Sequence, residues 1–191
     1  LVRPAGRQSR GIGLRSLPGA PLGRQWSVES IATLLATRDD VFVCGLGARD
    51  TLRMEAGLPL WGNELNETIN PVTAGLRFAL SKRRREAGNF PGAKQILQDL
   101  ECGPARTLVG LLSVGGRPVR DGTDLMFDGA LVGIVTSGGY APSLDAPAAI
   151  GLVESRLSEL GTALIATTRG RETAVHVVSL PFVPHRYVRG S

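Results

Sequence analysis

The chain has 191 residues, of which 42% are hydrophobic and 20% charged, a composition typical of one or two globular domains with a buried core. No apolar run approaches the roughly 18 to 20 residues that a membrane-spanning helix requires. The net charge of +5 comes from five arginines that precede the first acidic residue, Glu29, and the remaining 17 basic residues balance 17 acidic ones. Because the folded part is neutral, we expect no nucleic-acid function. Because the apolar runs are short, we also expect no membrane partner.

Residues 1–26 are rich in Arg, Gly and Pro and follow neither a helical nor a strand period, so we expect a disordered tail. Their acid-free composition is typical of a mitochondrial transit peptide, although glycine and proline oppose the amphipathic helix that such peptides form. A frame change, a retained intron or a mis-joined exon explains the segment at least as well. The chain begins with Leu1, and whether the native chain is longer is left open.

Ser27 is a suitable N-cap, and the apolar residues after it predict a helix to about Thr37. The β-branched and aromatic run Val41–Cys44 predicts a short buried strand. A small buried thiol is favoured over a nucleophile for Cys44. Cys44 and Cys102 are too far apart for a metal-ligand spacing, so we expect reduced, intracellular cysteines and no metal.

A glycine turn after this run leads into a predicted helix that Gly57 closes. Arg49 lies in the first turn of that helix, where a cation is unfavourable at the positive end of the helix dipole. It is therefore expected either to meet an anionic or carbonyl ligand or to form a structural pair with Asp50 or Glu55.

The string GLGARDTLRMEAGLPLWGNELNETINPVTAGL, Gly45 to Leu76, resembles the T-protein (aminomethyltransferase) family of the glycine cleavage system. Further segments recur in the family's order along about three quarters of the chain. These are KRRR at 82–85, NFPGAK at 89–94, VGL at 109–111, PVRDG at 118–122, VTSG at 135–138 and LPFVP at 180–184. The match corresponds to the carboxy-terminal half of a full-length member.

The resemblance implies an enzyme that takes the aminomethyl group from the lipoyl arm of H-protein, passes the carbon to tetrahydrofolate and releases ammonia. Arg49 matches the family arginine that contacts folate, and Tyr187 matches a tyrosine that completes the site. Phe78 falls where the family often has an aromatic residue beside the pterin. For Phe78, a core phenylalanine is the alternative interpretation.

Three departures from the family pattern limit these expectations. The family glutamate that binds the pterin should lie about thirty residues before Arg49, where this chain has Leu17 to Gly23. Leu108 replaces a common arginine before Val-Gly-Leu. The family's catalytic aspartate belongs to the amino-terminal half, so no catalytic residue is assigned, and neither Asp50 nor Asp121 is nominated in its place. We expect the chain as given to be inactive alone.

The cations Lys82–Arg85 have two interpretations. In the first, they form a patch that binds either the glutamate tail of folate or an acidic surface of H-protein. In the second, they form a solvated turn between two domains. Six strand-like segments follow Ala105, separated by Gly-Gly, Asp-Gly or Pro-containing turns, and this spacing predicts a small antiparallel barrel. They are 107–112, 124–127, 131–136, 148–153, 163–168 and 173–180.

The predicted fold class is α+β, a remnant of the folate-binding α/β domain followed by a six-stranded antiparallel β-barrel. The predicted parts are the tail 1–26, the folate-binding part 27–102 and the barrel 103–191. Two further functions are considered, a non-catalytic folate-binding or docking module and a folate domain related to dimethylglycine or sarcosine dehydrogenases. The family implies the mitochondrial matrix for a eukaryotic source and the cytoplasm for a bacterial one.

Overall fold

A computed structural model describes residues 27–186, so the predicted tail 1–26 and the predicted site residue Tyr187 lie outside the described residues. Five helical segments come first: α1 (Val28–Ala36), α2 (Leu46–Glu55), a 3-10 turn (Arg77–Ala79), α3 (Lys82–Ala87) and α4 (Ala93–Cys102). Six strands follow: β1 (Arg106–Ser113), β2 (Asp124–Phe127), β3 (Ala130–Ala141), β4 (Ala146–Glu154), β5 (Ala163–Thr168) and β6 (Arg171–Val178). The predicted α+β class and the six-stranded antiparallel barrel are confirmed.

The chain divides into two compact units, one ending at Cys44 and the other beginning at Gly45. The predicted boundary after Cys102 stays a prediction. In the first unit, α1 begins where the sequence predicts, because the Ser27 hydroxyl accepts a hydrogen bond from the Ser30 amide at 3.1 Å.

The predicted strand Val41–Cys44 is wrong. These residues have no regular secondary structure, Phe42 is 80% and Val43 90% exposed, and Cys44 is exposed as well. The run has the composition of a strand, but among residues 27–186 no strand pairs with it. A single extended segment without a ladder partner cannot bury its backbone groups. The composition of a strand is therefore insufficient by itself to predict one.

The second unit is built on a closed barrel with the strand order β1-β4-β3-β2-β5-β6. Alternate residues of β1 and β4 enter different clusters, as the period of two in a strand requires. Val109, Leu111 and Val153 belong to the main barrel core. Leu108, Ile150 and Leu152 instead join a second cluster that includes Met54 of α2. Both faces of these strands are therefore buried, which explains their continuous apolar character.

The segment before the barrel is tied to it at several points. Asp99 of α4 is buried and accepts hydrogen bonds from Asn70 at 2.6 Å and Gln95 at 2.8 Å. The Leu108 amide donates to the Thr73 carbonyl at 3.1 Å, which joins the 70–76 loop to β1. These contacts connect α4 to the loop and the loop to the barrel.

Candidate functional site

Helix α2 carries the predicted site residue Arg49, and its carboxy-terminal end is closed as the sequence predicts. The Gly57 amide donates to the Met54 carbonyl and the Leu58 amide to the Arg53 carbonyl, both at 2.9 Å. Gly57 has a φ of 64°, a left-handed conformation that glycine adopts without the penalty of a Cβ. This pair of hydrogen bonds is the Schellman motif, and it fixes where the chain leaves the helix.

A buried polar network holds the same end of α2 against the barrel. Glu64 has no exposed surface, and its carboxylate accepts hydrogen bonds from Arg53 Nη1 at 2.8 Å and from Ser137 Oγ at 2.5 Å. The Leu60 amide donates to the same carboxylate at 2.9 Å. Arg53 Nη2 also donates to Ser137 Oγ at 2.6 Å, which links α2 directly to β3. Each charged atom of the pair has a partner, as a buried ion pair requires.

The carboxy-terminal segment packs against the same end of α2. Buried Glu55 accepts hydrogen bonds from the amide and the hydroxyl of Ser143, at 2.9 and 2.6 Å. Its backbone carbonyl accepts from the Val183 amide at 3.0 Å. His185 Nε2 lies 2.8 Å from the Ala56 carbonyl oxygen. The chain is thus anchored beside α2 two residues before Tyr187.

Arg49 itself lies on the other end of α2, and it is exposed. The structural pair considered for Arg49 does not form. Asp50 instead accepts a hydrogen bond from Arg53 Nε at 2.7 Å, and Glu55 is occupied by Ser143. Within residues 27–186, Arg49 makes no ion pair. The guanidinium group is therefore free to bind an anion or carbonyl group on a helix whose opposite end is fixed.

Phe78 lies in the 3-10 turn Arg77–Ala79 and is 84% exposed. The alternative of a core phenylalanine is therefore wrong for this structure, because its ring buries too little area to contribute to a core. The two concavities found on the second unit are lined by other residues and contain neither Arg49 nor Phe78.

Lys82–Arg85 form most of α3, a short helix, so the turn considered as the alternative interpretation does not occur at these residues. The Ser81 hydroxyl caps this helix by accepting from the Arg84 amide at 3.4 Å. All four cations are exposed. Lys82 lies 3.8 Å from Glu86, and no ion pair of the described residues involves the three arginines. This cluster is available to an anionic partner.

Sequence reasoning missed the network of Arg53, Glu64 and Ser137. Arg53 and Ser137 are 84 residues apart, and nothing in the local pattern pairs them. Glu64 carried a signal of burial in the sequence, because this charged residue follows the apolar and glycine residues 57–62. Within residues 27–186, no group of three or more His, Cys, Asp or Glu side chains is arranged to hold a metal ion.

Comparison with known proteins identifies the relatives of this chain. Residues 29–84 match the GCVT N-terminal domain, and residues 106–184 match the glycine cleavage T-protein C-terminal barrel domain. The mitochondrial aminomethyltransferase of Pisum sativum is 43% identical over 161 residues, which are 84% of this chain and 39% of the relative. The mitochondrial aminomethyltransferase of Gallus gallus is 44% identical over 168 residues, which are 87% of this chain and 42% of the relative.

Among solved structures, the glycine cleavage system aminomethyltransferase T of Bartonella henselae superposes with a TM-score of 0.79 and 41% sequence identity. The superposition covers 85% of this chain and 45% of that chain. The chain therefore spans about two fifths of the length of its curated relatives. Its two matched stretches occur in the family's order and account for most of its length. The chain belongs to the glycine cleavage T-protein family.

Proposed function

We propose that this chain forms the carboxy-terminal part of an aminomethyltransferase of the glycine cleavage system. That enzyme transfers the one-carbon unit from aminomethyl-lipoamide on H-protein to tetrahydrofolate, with release of ammonia. The observation that carries the proposal is the 43% identity to an aminomethyltransferase over 84% of this chain. Since the chain spans 39% of that relative, the activity and its substrates are inferred for the whole protein.

The role that we assign to Arg49 is binding of tetrahydrofolate. Its guanidinium group is exposed and makes no ion pair within residues 27–186. Anchoring of α2 through Arg53 and Glu64 supports this role, because a fixed helix reduces the entropy that ligand binding would cost. Arginine is suited to bidentate donation to a carboxylate or a carbonyl group. Phe78 and Tyr187 are proposed to contact the same ligand.

Binding and orientation, without proton transfer, are the contribution proposed for this part of the enzyme. The resemblance places the catalytic aspartate in the amino-terminal half of full-length family members. Asp50 Oδ1 accepts a hydrogen bond from Arg53 Nε at 2.7 Å, so Asp50 is paired within the fold and is not proposed in place of that aspartate. No catalytic residue is therefore assigned among the residues of this chain.

Lipoylated H-protein is the proposed protein partner, and Lys82–Arg85 are its proposed docking residues. Four adjacent exposed cations on one short helix favour an acidic surface, and charge complementarity of this kind mainly raises the rate of association. No metal ion is proposed for the reaction.

The proposed location is the mitochondrial matrix in a eukaryote, because relatives from pea and chicken are mitochondrial aminomethyltransferases. Among the helices of residues 27–186, none combines the length and the apolar character needed to cross a bilayer.

The proposal is tested by replacing the corresponding segment of the pea enzyme with residues 45–186 of this chain. With loaded H-protein, the chimera is expected to form methylene-tetrahydrofolate, whereas this chain alone is expected to form none. An inactive but folded chimera would contradict the proposed function. Turnover by the chain alone would contradict the assignment of proton transfer to the amino-terminal half.

A further inference from the structure

A concavity of about 640 Å³ lies on the barrel, and arginines surround it. None of the residues that line it belongs to α2. Arg117 and Arg120 come from the connection between β1 and β2, and Arg169 and Arg171 come from the β5–β6 hairpin. The pairing of β2 with β5 and of β1 with β6 brings these two connections to one end of the barrel. A volume of this size is within the range of small-molecule sites.

The charge of this concavity is strongly unbalanced. Asp121 is the one acidic residue that lines it, against four arginines. No ion pair of the described residues involves any of these arginines, although the folded part as a whole is neutral in formal charge. Cations gathered in a concave surface reinforce one another's potential and raise the local concentration of anions.

The lining of the concavity is partly polar. Thr123 and Thr168 share a hydrogen bond between their hydroxyl groups at 2.8 Å, and both line it. Val119 and Ala166, which also line it, are buried. The four arginines therefore line the concavity together with buried and hydrogen-bonded residues of the barrel.

Arg169 occupies an unfavourable backbone position. Thr168 pairs with Arg171, so the hairpin loop is Arg169–Gly170, with φ values of 49° and 72°. Two-residue loops with both φ values positive strongly favour Asn-Gly or Asp-Gly. A residue with a long side chain is strained there, and this one places a cation at the rim of the concavity.

We propose that these four arginines form a binding site for a small multivalent anion whose charges are on phosphate or carboxylate groups. Several guanidinium groups around one cavity suit such a ligand, because each can donate two parallel hydrogen bonds to neighbouring oxygens. Arg49 is not among the residues that line the site, and the proposal does not rest on the proposed function. A ligand that carries three negative charges would balance the net charge of the four arginines and Asp121.

The test uses titration calorimetry on the full chain with inorganic pyrophosphate and, separately, citrate. At least one probe is expected to bind with a dissociation constant below about 1 mM. Arg171→Ala and Arg169→Asn should each weaken binding by about tenfold or more, because each removes a charge-assisted contact. The probe that binds more tightly identifies phosphate or carboxylate as the preferred chemistry.

The matched control is Arg106→Ala, an exposed arginine at the opposite end of β1, which should leave the affinity unchanged. Arg169→Asn separates binding from folding, since asparagine favours the left-handed turn and should maintain or raise the melting temperature. The proposal is overturned if neither probe binds saturably. It is equally overturned if Arg106→Ala weakens binding as much as Arg171→Ala, because binding would then follow net charge alone.

Discussion

The buried ion pair between Arg53 and Glu64 should determine much of the stability of the second unit. Arg53→Met keeps an unbranched apolar side chain and removes the guanidinium group with its charge. The Glu64 carboxylate, which has no exposed surface, would lose the Nη1 donor at 2.8 Å and keep Ser137 Oγ and the Leu60 amide. Removing one partner of a buried pair costs about 3–5 kcal/mol, a large part of the roughly 5–15 kcal/mol by which domains are stable.

Two matched variants isolate the physical cause. Arg156→Met removes an arginine from an exposed pair with Glu154, at 2.7 Å, and should cost less than about 1 kcal/mol. In the double variant Arg53→Met/Glu64→Leu no charge is left buried, so it should be more stable than Arg53→Met alone.

The measurement is urea unfolding followed by tryptophan fluorescence, to which Trp61, three residues before Glu64, contributes together with Trp26. Free energies of unfolding are obtained by linear extrapolation. The reasoning is refuted if Arg53→Met lies within about 1 kcal/mol of the unmodified chain. Additive losses in the double variant would refute it as well, because coupled residues must deviate from additivity.

Two further predictions concern the barrel and α2. A Cβ at Gly138 would overlap the Val119 carbonyl oxygen, so Gly138→Ala should lower the free energy of unfolding by about 1–3 kcal/mol. The control is Gly47→Ala in α2, where an added Cβ would have no other atom within 4 Å. This variant should leave the free energy of unfolding unchanged or raise it by up to about 1 kcal/mol. The pKa of Tyr140 is raised above its ordinary value of 10.0, mainly because its hydroxyl donates to Asp145 and secondarily by burial and the negative charge. This contact therefore stabilises the fold below pH 10 and is lost as the pH rises through the raised pKa. Phenolate absorbance should titrate at lower pH in Asp145→Asn, and an unchanged titration would be evidence against the hydrogen bond.

The barrel could be predicted from sequence because its information is local. Each strand is a short run of β-branched and apolar residues that ends at a turn such as Asp128–Gly129, where both residues have positive φ. Predicted and observed strands agree apart from their ends, and β3 and β6 are longer or displaced by a few residues. Ends depend on ladder partners such as Ala141 and Ala146, which no local pattern specifies.

The features that were predicted wrongly or missed depend on partners distant in sequence. Val41–Cys44 has the composition of a strand and lacks a ladder partner among residues 27–186. Helix α4 was not predicted; its buried Asp99 is stabilised by Asn70, 29 residues earlier. The contacts of Arg53 cross 84 residues to Ser137. Of the candidate site, exposure of Arg49 and Phe78 agrees with a binding role, and that role stays a prediction.

The central claim is that Arg49 binds tetrahydrofolate in the assembled enzyme. It is tested most directly by steady-state kinetics of the chimera that carries residues 45–186, with Arg49→Ala compared with the control Arg156→Ala. Loss of a charge-assisted contact worth about 1.5–3 kcal/mol predicts that kcat/KM for tetrahydrofolate falls by about tenfold or more in Arg49→Ala, with the control unchanged. An Arg49→Ala chimera with the same kcat/KM as its parent would contradict the claim.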